Sequence, residues 1–313
     1  MVPLVAYAAL TAAIDVYAGD ELQTRNPLAL AAVAFTLVAL AFVGWTVIHR
    51  GLAATMRPWR TNPHDVIVLN ISTAASWIAV FYALKYLEPA VVNVTIVAIS
   101  PLMTVLLGPV LRKGSSVLSS EVWVSLGICG FLAALAWGSI SGHTGVGKIS
   151  LFHAVLGIVL MLISGLAATV NVIYSKRLSD ANYSPQSILS VRFYLIVVIS
   201  WSIIATQGQP EVNAILLPAI VVALFGVGIP LYLLQLGVKS TEPITATLVC
   251  TLSPLFAFII QLPVRRITPS LLSFTCIVGI TFLVGLGTVE RARQGRTQKL
   301  EAARAAVSTP REG

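Results

Sequence analysis

Two charged residues stand inside long apolar stretches of this sequence. Arg192 follows Pro185 by seven residues in one apolar run, and Asp15 is the one acidic residue within another. An arginine that faces lipid costs about 2.5–3.5 kcal/mol, so Arg192 is expected to face protein or water. There its guanidinium could clamp an anion or act as a gate. The alternative is a structural arginine bonded to backbone carbonyls or to Asp180.

Asp15 belongs to a polar stripe. Tyr7, Thr11 and Asp15 recur every four residues, which places them on one face of a helix. A carboxylate there could bind and release a proton as a cavity opens first to one side and then to the other. The alternative is a solvated acid at the mouth of a short helix.

Uncharged polar residues form further stripes at helical spacing. Polar side chains are unfavourable in lipid, so these stripes should face protein or a water-filled cavity. The alternative, most of all for Ser and Thr, is hydrogen bonding between helices. The residues that could line a substrate cavity are Asn70, Thr73, Trp77, Asn93, Asn171, Tyr174, Arg192, Tyr232, Gln235 and Thr247.

No pattern in the sequence predicts a cofactor, a metal or catalysis. The four histidines lack metal-ligand spacing, and no GxxxxGK[ST] loop is available to hold a nucleotide phosphate. Paired carboxylates or a Ser/His dyad at depth are also missing from the sequence. We therefore predict no cofactor, no metal site and no enzyme activity.

The composition indicates an integral membrane protein. Of the residues, 57% are hydrophobic and 10% are charged, against roughly 25% charged in a soluble domain. Lys and Arg number 20 and Asp and Glu 12, but the basic residues lie between apolar runs and in the C-terminal tail. They indicate topology and contact with membrane lipid, and not nucleic-acid binding.

An apolar run of about 20 residues crosses the hydrocarbon layer once. The sequence predicts an all-α membrane protein with about ten such helices and a disordered cytoplasmic tail over 290–313. The first helix is short for a span, and a truncated start of the chain remains open. The predicted helices are 3–18, 27–48, 66–86, 89–111, 121–140, 153–175, 185–206, 214–236, 243–264 and 269–289.

The chain carries an internal duplication. Lys85-Tyr-Leu-Glu88-Pro89 is echoed by Lys239-Ser-Thr-Glu242-Pro243, and the proline of each following Ser-Pro pair, Pro101 or Pro254, precedes a basic pair by eleven residues. Further upstream, Ala34-Phe35 corresponds to Arg192-Phe193. We predict two repeats, 1–145 and 150–289. Pro101 and Pro254 should kink their helices. The kinks could act as hinges, or they could be fixed features of the helices.

Five helices per repeat is an odd number, so the second repeat should be inverted relative to the first. With a cytoplasmic N-terminus, 14 of the 20 Lys and Arg residues lie inside, which favours both termini in the cytoplasm. The pair Arg265-Arg266 then lies outside; a nine-helix arrangement would bring it inside and remains open. We expect the plasma membrane of a bacterium.

The motifs carry a family likeness. The segments FYALKYLEPAVVNVTIVAISPLMTVLL, LLQLGVKSTEPITATLVCTLSPLFAFII and SPQSILSVRFYLIVVI resemble the EamA-type branch of the drug/metabolite transporter superfamily over about residues 1–289. The sequence departs from the family in lacking the acidic residue after each Ser-Pro helix. The segment VNVIYSKRL is also similar to sugar-phosphate and nucleotide-sugar translocators.

The resemblance implies a secondary active transporter with a central cavity that works by alternating access. Its expected cargo is a small polar or amphipathic metabolite or drug-like compound, exported in exchange for protons. The alternative within this class is an antiporter of sugar phosphates or similar organic anions. An alternative of another class is a membrane scaffold that transports nothing.

Overall fold

The computed structural model describes residues 2–111, 119–207, 212–240 and 248–308, and within these ranges it contains helices and no strand. The helices are α1 (Val2–Glu21), α2 (Pro27–Thr61), α3 (Pro63–Tyr86), α4 (Pro89–Leu111), α5 (Ser119–Ser141), α6 (Leu151–Asp180), α7 (Pro185–Val191), α8 (Tyr194–Gln207), α9 (Val212–Val221), a π-helix (Val222–Gly228), α10 (Ile229–Ser240), α11 (Ser253–Gln261) and α12 (Leu271–Ser308).

The all-α membrane architecture is confirmed. Within the described residues, eight helical segments are long and apolar enough to span a membrane, and Pro89–Ile99 and Leu248–Gln261 are shorter apolar helices. Together they occupy the positions of the ten predicted spans. The first span is 20 residues long, because α1 continues to Glu21 beyond its predicted end.

Three of the spans are interrupted. The seventh consists of α7 and α8, which are separated at Arg192 and Phe193, and the eighth contains the π-helix between α9 and α10. The ninth is interrupted by a turn just before α11, so Pro254 lies in the first turn of a new helix, where its missing N–H costs little. At Pro101, in contrast, the backbone of α4 continues as helix, and the side chain of Pro101 lies outside the described residues.

The second span ends at a glycine. α2 contains Gly51 at φ +81°, a left-handed conformation that interrupts the helix and favours glycine. The segment that follows carries Arg57 and Arg60, which are both exposed.

The prediction of a disordered tail is wrong as far as Ser308, because α12 continues helically from the membrane span to that residue. The tail is rich in Ala, Glu, Arg, Lys and Gln, which are strong helix formers. They extend a helix whose first turns have already formed inside the membrane, so no new nucleation is needed. Residues 309–313 of the predicted tail lie outside the described residues.

The packing of the spans follows the duplication. The third span packs on the sixth as the eighth packs on the first, and the fourth packs on the sixth as the ninth packs on the first. The second and seventh, the fourth and ninth, and the fifth and tenth spans pack on their own counterparts. If the first five spans are exchanged one by one with the last five, these pairs of packed spans therefore stay the same.

Several connections meet on one side of the bundle, which we name the hairpin face: 22–26, 87–88, 142–150 and 262–270. The Thr268 N–H donates to the Gly145 carbonyl (2.8 Å), and Arg266 Nη2 donates to the Gly19 carbonyl (2.8 Å). On the opposite face, Arg50 Nη1 donates to Ser184 Oγ (2.7 Å). The start of α1 and the end of α12 both lie toward that opposite face. This arrangement fits ten spans and places Arg266 on the hairpin face, as the ten-helix interpretation requires.

Candidate functional site

Arg192 lies at the break in the seventh span, and Asn70 of α3 stabilises this break. Asn70 Nδ2 donates to the Val191 carbonyl (2.7 Å), and its Oδ1 accepts from the Leu195 N–H (3.2 Å). Unpaired backbone groups are costly inside a membrane, so the side chain of Asn70 replaces the helical bonds that the break removes. The structure thus places Asn70 beside the candidate site as a structural residue.

The guanidinium of Arg192 is bonded to α6. Its Nη2 donates to Asn171 Oδ1 (2.6 Å), and Asn171 Nδ2 in turn donates to Thr73 Oγ1 (2.6 Å) on α3. The Nε of Arg192 is buried and has no hydrogen-bond partner in the described part of the chain. The site therefore holds a fixed cation with donor capacity left over. The alternative pairing with Asp180 is wrong, because Asp180 lies 3.4 Å from Lys176 Nζ instead.

Aromatic rings adjoin this cation. The Arg192 guanidinium carbon lies 5.3 Å from the centre of the Phe193 ring. From there the rings continue through Phe35, 5.6 Å from Phe193, to Trp77, 5.2 Å from Phe35. The predicted cavity residue Trp77 is half-buried in this group. An apolar surface and a cationic donor thus lie side by side.

A second polar pair joins α1 to α4. Asn93 Nδ2 donates to Asp15 Oδ2 (2.6 Å), and both side chains are buried, Asp15 with 8% of its surface exposed. The interpretation of Asp15 as a solvated acid at a helix mouth is therefore wrong. Asn93 Oδ1 is also buried and lacks a partner among the described residues. No cation contacts Asp15 in the same part of the structure, so a single amide holds the carboxyl group.

The remaining predicted site residues do not join these two groups. Tyr174 lies toward the opposite face, where the guanidinium of Arg177 stands 4.9 Å from its ring centre. Tyr232 is 65% exposed on the surface of the bundle. The side chain of Gln235 and all of Thr247 lie outside the described residues. Of the ten candidates, the structure connects Asn171, Thr73 and Arg192 by hydrogen bonds, with Asn70 and Trp77 beside them.

Sequence reasoning missed a buried network around Glu88, in the connection between α3 and α4. Glu88 Oε2 accepts from the Gly145 N–H (2.7 Å) and from Ser273 Oγ (2.6 Å), and Glu88 Oε1 accepts from Gln261 Nε2. Glu88 forms no ion pair with Lys85, three residues earlier, in the described part of the structure. The partners are 57, 173 and 185 residues away, so no local pattern could identify them.

Two effects act in opposite directions on the pKa of Glu88. The residue is 1% exposed, and burial raises the pKa of its carboxyl above the ordinary value. The hydrogen bonds from Ser273, Gly145 and Gln261 lower the pKa, but by less than burial raises it. Glu88 therefore holds a proton more readily in this closed network than it would in water.

Comparison with known proteins gives a family-model match over part of the chain and a similar fold. The model of the EamA-like transporter family matches residues 155–287. No curated protein has a matching sequence. Among the solved structures, 18 chains match. One of them, a crystal structure of a protein, has a TM-score of 0.59 and 18% sequence identity to this chain. The match covers 92% of this chain and 97% of the other. At that identity the likeness shows a common fold alone.

Proposed function

We propose that this chain, which the model of the EamA-like transporter family matches over residues 155–287, is a secondary active transporter of a small polar or amphipathic compound. The observation that carries this proposal is the Arg192 group. A buried cation with an unpaired donor, held by Asn171 and adjoining aromatic rings, is suited to a ligand and is more than helix packing needs.

The chemistry of the group defines the ligand class. Arg192 can donate a charge-assisted hydrogen bond to a carboxylate or another acceptor. Phe193, Phe35 and Trp77 offer apolar surface for the rest of the molecule. The preferred ligand therefore combines one acceptor group with an apolar body.

We propose that transport is coupled to protons through Asp15, and that the compound is exported. A carboxyl group that is buried between α1 and α4, bonded to Asn93 and contacted by no cation in the described structure, can change its protonation state without breaking an ion pair. Exchange of one proton for one substrate molecule would use the gradient across the membrane.

Alternating access would arise from the two repeats, 1–145 and 150–289, as inverted copies. The exchange of contacts between spans five places apart supports this arrangement. Pro254, in the first turn of α11, is the better placed of the two proposed hinge residues, because its helix is already interrupted there.

An antiporter of phosphorylated anions is the second candidate. A phosphate group in a low-dielectric site calls for more than one cation. Lys176 and Arg177, the nearest further basic residues on α6, already lie 3.4 Å from Asp180 and from Asp65 respectively. Arg192 is thus the one cation bonded into the described site, which favours a ligand of low charge. A scaffold role would leave the unpaired donor of Arg192 without use.

The protein is an integral multi-pass membrane protein. We propose the bacterial plasma membrane, with both termini in the cytoplasm. The positive-inside rule supports this orientation, since the ten-span topology predicted from the sequence assigns 14 of the 20 Lys and Arg residues to the side of the termini.

The proposal is tested with purified protein in proteoliposomes. A panel of amphipathic carboxylates, neutral metabolites and sugar phosphates is offered with and without a pH gradient. We expect uptake of amphipathic carboxylates that depends on the gradient. Uptake of the sugar phosphates alone would favour the second candidate, and no uptake of any compound by folded protein would favour the scaffold.

A further inference from the structure

The Glu88 network is a cross-link between the two halves of the protein. Glu88 directly precedes α4 in the first half, whereas Gln261 ends α11 and Ser273 lies in the first turn of α12 in the second half. Gln261 Oε1 also accepts from the Ala90 N–H (3.1 Å), which fixes the orientation of its amide. Any movement that opens the hairpin face between the halves must separate these groups.

Opening would change the surroundings of Glu88. In the closed network its carboxyl is almost fully buried, and no cation is hydrogen-bonded to it in the described structure. Once the halves separate, water would reach the carboxyl and solvate its charge. The ionised form is therefore favoured in the open state, and the neutral form in the closed state.

We propose that Glu88 is a proton-binding site that controls closure of the hairpin face, distinct from Asp15. A proton from solvent on that side binds the carboxylate while the face is open, remains on it while the face is closed, and returns to the same side on reopening. Glu88 thus sets the pH at which this face closes without adding to the protons carried across. This inference rests on the alternating access proposed above.

The direction of the pH effect follows from the coupling between proton binding and closure. The raised pKa of Glu88 in the closed network means that the closed state binds this proton more tightly than an open, hydrated state. Acidification therefore favours closure, and raising the pH through the titration favours opening. In an exporter driven by protons, an acidic exterior would favour the closed state after release of substrate.

Other ionisable groups lie on the elements that meet at the hairpin face, and none of them hydrogen-bonds to the Glu88 carboxylate in the described structure. They lie on the end of α1, the end of α3 and the two connections that complete the hairpin face. Their charges can shift the pKa of Glu88. The main effects on that pKa are burial, which raises it, and three hydrogen bonds, which lower it. These groups are Asp20, Glu21, Lys85, Tyr86, His143, Lys148, Arg265 and Arg266.

The test measures access to a buried position from the hairpin face. Ser253 is buried, its hydroxyl donates to the Ala8 carbonyl (3.2 Å), and it lies eight residues along the helix from Gln261, or about 12 Å deeper. Ser253→Cys is made in a variant that lacks Cys129, Cys250 and Cys276, and is labelled in vesicles with a membrane-impermeant maleimide. Lys148→Cys, exposed on the hairpin face, identifies the correct side and corrects for the pH dependence of thiol reactivity.

With Glu88 intact, the corrected labelling rate should rise as the pH is raised, by at most about tenfold per pH unit for one titrating group. Glu88→Gln has no carboxyl group that can ionise, so its labelling rate should not change with pH. Ser273→Ala removes a bond that lowers the pKa of Glu88, so its pH midpoint should move upward. The matched control Glu21→Gln changes an acid that is ion-paired with Arg25 and does not bond to Glu88, so the labelling rate should still rise with pH, with at most a small shift of the midpoint.

A labelling rate independent of pH with Glu88 intact, or an unchanged response in Glu88→Gln, would overturn the proposal. So would an unmoved midpoint in Ser273→Ala. Since labelling needs no substrate, a pH response without any transport would instead count against the proposed function and leave the role of Glu88 standing.

Discussion

The rings of Phe35 and Phe193, which occupy equivalent positions in the two repeats that the sequence predicts, lie 5.6 Å apart. The duplicated residues thus meet each other where the halves join. Their preceding neighbours differ: Arg192 precedes one ring and the fully buried Ala34 precedes the other. Of these two corresponding positions, one therefore carries a cation and the other does not, which would make the proposed binding site asymmetric.

Replacing Arg192 should impair substrate binding. A hydrogen bond to a charged group contributes about 1.5–3 kcal/mol, so Arg192→Ala should raise the substrate KM about 10- to 100-fold. Arg192→Lys keeps the charge but not the planar fork and should have an intermediate effect. Uptake into proteoliposomes measures both. Arg265→Ala, at an exposed arginine of the hairpin face, is the matched control, and wild-type kinetics in Arg192→Ala would refute the assignment.

Asp15→Asn should separate transport from the proton gradient. The amide can still bond to Asn93 but cannot exchange a proton at neutral pH. We expect loss of accumulation driven by a pH gradient, with substrate exchange between two sides at equal pH retained. Asp180→Asn, at an exposed acid near Lys176, serves as the control. Gradient-driven accumulation that survives in Asp15→Asn would exclude this residue as the coupling group.

Asn70→Leu should destabilise the fold. It leaves the Val191 carbonyl and the Leu195 N–H unpaired beside the break in the seventh span. Each unpaired buried group costs about 1–3 kcal/mol. Thermal unfolding in detergent should show a lowered Tm, whereas Thr275→Ala, which removes hydrogen bonds within a single helix at an exposed position, should change it little. Equal Tm values for both variants would contradict this role.

Gly279→Ala should disturb the contact between α5 and α12. A Cβ atom at Gly279 would lie 2.4 Å from Cζ of Phe131, too close for either group to stay in place. Overpacking of this kind costs about 1–3 kcal/mol. The Tm should fall, and Phe131→Leu in the same chain should restore part of it. Gly130→Ala, which meets nothing within 4 Å, is the control, and a Tm drop of the same size there would refute the packing argument.

The spans could be predicted because each depends on a local property, the length of an apolar run bounded by Pro or polar residues. It could also be predicted that the side chains of Arg192, Asn171 and Thr73 face protein or water and not lipid, because burying a polar group in lipid is costly at any position. Their partners could not. Asn70 pairs with backbone 121 and 125 residues away, and Glu88 with residues of the other half, so only the assembled fold brings these groups together.

The π-helix at Val222–Gly228 and the break at Arg192 are further features that apolar composition does not encode. The exposed position of Tyr232 shows a related limit. Helical spacing tells which residues share a face, but not whether that face meets a neighbouring helix or lipid.

The helix α12 continues far beyond the end of its membrane span. The 38-residue helix from Leu271 to Ser308 includes a 20-residue apolar span that ends at Glu290. The 18 residues beyond it, at 1.5 Å each, extend about 27 Å, nearly the thickness of the hydrocarbon layer that the span itself crosses. A reporter domain fused after Gly313 would therefore stand clear of the lipid headgroups, and the side on which it is detected would locate the C-terminus directly.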